Sequence, residues 1–184
     1  MVKFFQSSHS YDHDFSTVSL AFFNRYPNPY ASHVLAADTI ERYVDTDGKL
    51  HTTRLILKQG RLPRFVKPFL KHISESWIIE KSVVDPKQME METWSSNLEH
   101  RYILKVEERT TYRREGAGTW SQNQVSFVSN FAGWGVKDRI EKWSLDRFGE
   151  NTAKSRQGMA FVMDLLKEKG LMHFQRVQLG HDFK

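Results

Sequence analysis

The chain has 184 residues, 39% hydrophobic and 27% charged, a length and balance that suit one domain with a sizeable core. Its formal net charge of +5 favours anionic partners: nucleic acid, a membrane surface or an acidic ligand. The lack of cysteine excludes disulfides and thiol chemistry, and no window approaches the ~20 apolar residues of a membrane span.

Residues 1–6 turn polar too soon for a signal peptide and lack the Arg-rich amphipathic pattern of a transit peptide. Residues 2–10 are predicted as a first strand. Asp14 or Ser16 caps a helix running to about Arg25, with Phe15, Val18 and Phe22 as its apolar stripe. Arg25 lies at the edge of that stripe. The simpler reading is that it complements the helix C-terminus; the other is that a cation continues an inward face. Arg25-Tyr26-Pro27-Asn28-Pro29-Tyr30 then ends the helix, because its two prolines force an extended turn.

Strands at 33–44 and 50–58 are joined by Asp45-Thr46-Asp47-Gly48, a hairpin signal. Thr52, Arg54, Ile56 and Lys58 share one face of the second strand. A solvated outer face is the default reading of such a cationic row. Residues 60–71 mix prolines, phenylalanines and cations without a period. They read as a long loop suited to an anionic membrane surface, or as a compact loop whose Phe residues pack inward.

Strand patterns follow at 76–84, 89–98, 101–113 and 120–131, with turns at 84–87, 97–100 and 115–118. Val125, Phe127, Ser129 and Phe131 share a face of the last one. Successive strands with short turns predict an antiparallel meander. With a helix near each end this is an α+β domain: a curved sheet of about six to seven strands, closed by a long C-terminal helix over an elongated cavity.

That helix, residues 136–168, carries a stripe with an unusual middle. Val136, Ile140, Trp143, Arg147, Asn151, Lys154, Gly158, Phe161 and Leu165 fall within roughly 80° at about 100° per residue. Burying unpaired charge is expensive. Either the stripe turns to solvent at Arg147, Asn151 and Lys154, or these groups face a cavity that holds an anion. After Gly170 the helical period is lost, and residues 171–184 read as a mobile tail.

Catalytic signatures are missing. The eight histidines show no metal-ligand spacing, and there is no Gly-rich phosphate loop, no Gly-x-Ser-x-Gly elbow and no paired-aromatic RNA signature. No cofactor, metal or catalytic residue is assigned.

Several runs, in order, carry a family resemblance. They are Phe22-Phe23-Asn24-Arg25-Tyr26-Pro27-Asn28-Pro29-Tyr30, Thr53-Arg54-Leu55, Leu62-Pro63 with Val66-Lys67-Pro68, and Ser82-Val83-Val84-Asp85-Pro86. Val106-Glu107-Glu108 and Lys154-Ser155-Arg156-Gln157-Gly158-Met159 complete the series. Over residues 1–170 the chain resembles the PRELI-type lipid transfer proteins of the mitochondrial intermembrane space. It looks most like the fungal branch that moves phosphatidic acid rather than the sister branch that moves phosphatidylserine.

The resemblance implies a fold like the phosphatidylinositol-transfer and StAR-related proteins, with one phospholipid as cargo. It implies a phosphate site at Arg25, His33, Arg54, Lys58, Arg147, Asn151 and Lys154, with Arg61 at the pocket mouth. It implies a lid at Leu62-Pro63-Arg64-Phe65-Val66-Lys67-Pro68-Phe69-Leu70-Lys71 that docks on anionic membranes. It also implies a small heterodimer partner with twin Cys-x9-Cys motifs, import without a cleavable presequence, and transfer of phosphatidic acid between the outer and inner membranes for cardiolipin synthesis. Two alternatives stand beside this: phosphatidylserine as cargo of the same fold, and a basic membrane-surface or nucleic-acid-binding module.

Overall fold

In the computed structural model, residues 3–60, 75–130 and 136–181 are described, with the side chains of the last helix described from 138 to 168. Strand β1 (Lys3–Tyr11) is followed by helix α1 (Phe15–Phe23) and a short 3-10 turn, Pro29–Ala31. Then come β2 (Val34–Val44), β3 (Leu50–Gln59), β4 (Glu75–Asp85), β5 (Glu90–Asn97), β6 (Lys105–Glu115) and β7 (Gly118–Val128). Helix α2 (Val136–His181) ends the fold.

The seven strands form one antiparallel sheet in the order β1-β7-β6-β5-β4-β3-β2. Strands β2 to β7 are the expected meander, and β1 adds to its far edge beside β7. Asp14, not Ser16, caps α1: its Oδ1 accepts from Thr17 N at 2.9 Å. Gly48, at φ +85°, takes the left-handed position of the β2–β3 turn, which a side chain disfavours. Strand β6 starts at Lys105 because residues 101–104 form a turn on His100, whose carbonyl accepts from Ile103 N and Leu104 N.

Helix α1 lies between the sheet and α2. Its Phe15, Val18, Ala21 and Phe22 are buried with Tyr11, Met91 and Tyr112 of the sheet and Met159, Val162, Met163 and Leu166 of α2. Burying each large apolar side chain stabilises by about 1.5–3 kcal/mol, so this cluster fixes the C-terminal half of α2 on the sheet.

Three expectations are corrected. First, the row Thr52, Arg54, Ile56, Lys58 faces inward: the first three are buried and Lys58 is half-buried. Second, the inward face of α2 is wider than the stripe read in the sequence: Ile140, Trp143, Gly158, Phe161 and Leu165 of that stripe are buried or half-buried, and so are Glu141, Ser144, Phe148, Thr152, Arg156, Met159, Met163 and Leu166, one residue's turn of about 100° further round. Third, α2 runs through Gly170 to His181 rather than giving way to a tail at 171. A single glycine costs a helix about 1 kcal/mol but does not end it, and Leu171, Met172, Gln175 and Arg176 beyond it are good helix formers.

Candidate functional site

Between the inner face of the sheet, the end of α1 and the middle of α2 lies a cavity of about 480 Å³. Ile56, Ile78, Ile103, Leu104 and Val106 of the sheet side and Trp143, Phe148 and Met159 of α2 give it apolar walls. Exposed lining residues mark its rim: His33, Gln59, Gly60, Glu75, Glu99, His100, Asn151 and Lys154.

Two lysines and a histidine meet at this rim. His33 sits just before β2, Lys58 near the end of β3, and Lys154 on α2. Partial desolvation, then the positive charges of Lys58 and Lys154, hold the His33 pKa below 6.5. Among the described residues neither lysine forms an ion pair with a carboxylate. Tyr26 also feels the field: burial pushes its hydroxyl up, but Arg25 and Lys58 outweigh this and hold it below its ordinary value of 10.0. The arrangement favours an anion that accepts hydrogen bonds from several donors at once.

Arg25 and Arg54 are differently engaged. Both reach Glu80 of β4, which stands opposite Arg54 in the β3–β4 ladder. Arg54 Nε donates to Glu80 Oε1 at 2.9 Å, and Arg25 Nη2 donates to Glu80 Oε2. All three residues are buried. Burial alone would raise the Glu80 pKa, but the two guanidinium charges overcome it and hold the carboxyl below the usual 4.5. Both arginines also serve the end of α1: Arg25 Nη1 donates to Phe22 O at 2.7 Å and Arg54 Nη1 to Phe23 O at 3.0 Å. The simpler reading of Arg25 as a helix C-terminus partner therefore describes only part of its bonding.

Of the residues named from sequence, Arg25, His33, Lys58, Asn151 and Lys154 line the cavity. Arg54 does not; it lies under α1, behind Glu80. Arg147 does not either: it is exposed and pairs with Glu150 one turn away at 2.8 Å. The stripe runs along the flank of the cavity, so Trp143, Asn151 and Lys154 reach in while Arg147 turns to solvent. Arg61, the lid residues Leu62 to Lys71, and Phe131 fall outside the described residues.

Several lining residues escaped sequence reasoning. Arg156 lines the cavity and donates to Ser7 Oγ and Ser8 O of β1. Glu80 could have been found only from the strand register. The floor is the larger omission. Arg42, Thr52, Ser82, Thr93, Thr110, Asn123 and Ser7 stand in one register row, one per strand, across the whole sheet. The next row continues Arg54, Glu80, Ser95 and Glu108. A sheet face under a helix is ordinarily apolar; here its middle is polar, and Thr93, Ser95, Glu108, Thr110 and Asn123 line the cavity.

Comparison with known proteins agrees with this architecture. Residues 16–169 match the model of the PRELI-like family. The chain is 52% identical over 170 residues to "Protein UPS1, mitochondrial" of Saccharomyces cerevisiae, covering 91% of this chain and 97% of that protein. It is 33% identical over 171 residues to "PRELI domain-containing protein 1, mitochondrial" of Homo sapiens, covering 91% and 78%. Among solved structures, the Zhui aromatase/cyclase from a Streptomyces species superposes with a TM-score of 0.62 at 8% identity, over 92% of this chain and 98% of that one. TTHA0849 from Thermus thermophilus gives 0.59 at 12% identity, over 88% and 97%. These two identify the START/Bet v1-like fold and nothing further.

Proposed function

The chain belongs to the PRELI-like family, and on that premise we propose that it carries phosphatidic acid between the mitochondrial outer and inner membranes, supplying cardiolipin synthesis. The observation that carries the proposal is the meeting of His33, Lys58 and Lys154 at the rim of a cavity with apolar walls. A phosphomonoester bears about −1.5 to −2 charge near pH 7, with oxygens that accept from several donors. Lys58 and Lys154, unpaired with any described carboxylate, supply charge-assisted hydrogen bonds to it. Asn151 adds an amide donor beside Lys154.

The apolar walls take up acyl chain, and the buried Arg25–Glu80–Arg54 group keeps a net positive charge behind the phosphate. Transfer in this reading makes and breaks no covalent bond: lipid enters from one anionic membrane and leaves at another. The carrier works in the intermembrane space as a heterodimer with a small protein bearing twin Cys-x9-Cys motifs.

The test is transfer of fluorescent phosphatidic acid between two liposome populations, with phosphatidylserine and phosphatidylcholine as parallel cargo. Fast transfer of phosphatidic acid alone supports the reading. Transfer of phosphatidylserine alone replaces the cargo, and no transfer of any lipid by folded protein removes the carrier role.

A further inference from the structure

The turn between β5 and β6, residues 98–104, stands at the mouth of the cavity and has two sides. Glu99, His100, Ile103 and Leu104 line the cavity. Leu98 and Tyr102 do not: they are 45% and 60% exposed. Between them Arg101 is exposed and forms no ion pair among the described residues.

The turn is held in place. Asn97 Nδ2 donates to Glu99 O at 2.6 Å and to Leu104 O at 2.9 Å, and its Oδ1 accepts from Val106 N at 2.9 Å. Asn130 N donates to Tyr102 O at 3.0 Å and ties the tip to the end of β7. His100 sits at φ +58°, uncommon for a residue with a side chain. These bonds keep a leucine and a tyrosine fixed in water. The neighbouring carboxylates are drawn back: Glu99 Oε2 accepts from Trp77 N at 3.3 Å, and Glu107 pairs with Lys105 at 2.8 Å.

A single exposed apolar side chain is ordinary. Here the apolar strip continues along the sheet. Ala36, Leu57 and Trp77 stand in one register row at the same end, each half-buried, and Leu98 N donates to Trp77 O. Leu35, 46% exposed, precedes Ala36 at a bulge. Apolar and aromatic groups with a cation among them suit the interface of an anionic bilayer, where a tyrosine ring sits at headgroup level and an arginine meets lipid phosphate. A lipid cargo also has to cross between bilayer and mouth, so the surface bordering the mouth is the one that meets the membrane.

We propose that the β5–β6 turn, with Leu98, Arg101 and Tyr102 exposed on it, docks on anionic bilayers and holds the cavity mouth against the lipid. The inference rests on the carrier reading above and gives docking a second element besides the expected lid.

The test measures sedimentation of the full chain, bound to its partner protein, with vesicles of phosphatidylcholine and phosphatidylglycerol. Tyr102→Ser combined with Leu98→Ser is expected to weaken vesicle binding roughly tenfold, the scale of one large apolar side chain left in water. Arg101→Gln is expected to weaken it about fivefold at low salt and to lose that effect at high salt. Binding of dispersed short-chain phosphatidic acid, which needs no membrane, is expected to stay unchanged in both variants. Unchanged vesicle binding in both variants, or none by the unaltered complex, overturns the proposal and leaves the cargo reading standing. Loss of the partner protein from either variant assigns the turn to a protein contact and also overturns it. Vesicle binding that depends on Tyr102 and Arg101, in a chain that takes up no phosphatidic acid, keeps the docking surface and removes the cargo reading. Where the double variant does not fold, Arg101→Gln decides alone, since Arg101 is exposed and outside any described ion pair.

Discussion

Arg54 and Glu80 face each other across the β3–β4 ladder, and their bond at 2.9 Å turns two strands and the end of α1 into one buried unit. Arg25 reaches the same carboxylate from the other side. Removing that carboxylate leaves two buried guanidinium groups without a counter-charge. Glu80→Gln is therefore expected to cost about 3–5 kcal/mol of folding stability, measured by urea denaturation. A loss below about 1 kcal/mol would mean that water reaches the arginines.

The same unit sets an acid limit. The Glu80 pKa is depressed in the folded chain, so its contribution is fully present above the ordinary 4.5 and lost as pH falls through the lower folded value. Stability against urea is expected to fall below about pH 4.5 with a steeper slope than in Glu80→Gln, which lacks this titration.

The phosphate reading separates three cations that look alike in sequence. Lys58→Met and Lys154→Met are each expected to cut phosphatidic acid extraction about tenfold or more, as each removes a charge-assisted bond. Arg147→Ala is expected to change it by less than about twofold, since Arg147 is exposed and turned to Glu150. Liposome extraction decides; a large Arg147 effect would mean that α2 turns on binding.

His33 reports on the same cluster. With its pKa held below 6.5 by partial desolvation and two lysines, it is mostly neutral at pH 7 in the empty carrier. NMR titration is expected to show its midpoint rising in Lys58→Met, and rising again when phosphatidic acid is bound. No movement on loading would place the phosphate elsewhere.

Gly158 packs α2 against the turn after α1. A Cβ there would lie 3.0 Å from both the Oδ1 and Nδ2 of Asn28. Asn28 cannot yield freely, because its Oδ1 accepts from Tyr30 N and its Nδ2 donates to Arg25 O. Gly158→Leu is expected to cost about 1–3 kcal/mol, read from thermal unfolding, despite leucine's better helix propensity.

What the sequence by itself determined is local. Alternation located all seven strands, Asp14 and the two prolines bounded α1, Asp45 to Gly48 made a turn, and the ordered motifs pointed to the family. Each of these depends on neighbours a few residues apart, where backbone geometry leaves few choices. The tertiary structure decided which face is inside. A polar row such as Thr52, Ser82, Thr93, Thr110 and Asn123 reads as solvated until the register aligns it under a helix. Likewise Arg54 and Arg147 carry the same charge on plausible faces. One meets Glu80 from a strand 26 residues away and the other meets Glu150 on its own helix, so one is buried and one is exposed to solvent. Burial of charge depends on partners brought together by folding, and the spacing of residues along the chain does not encode them.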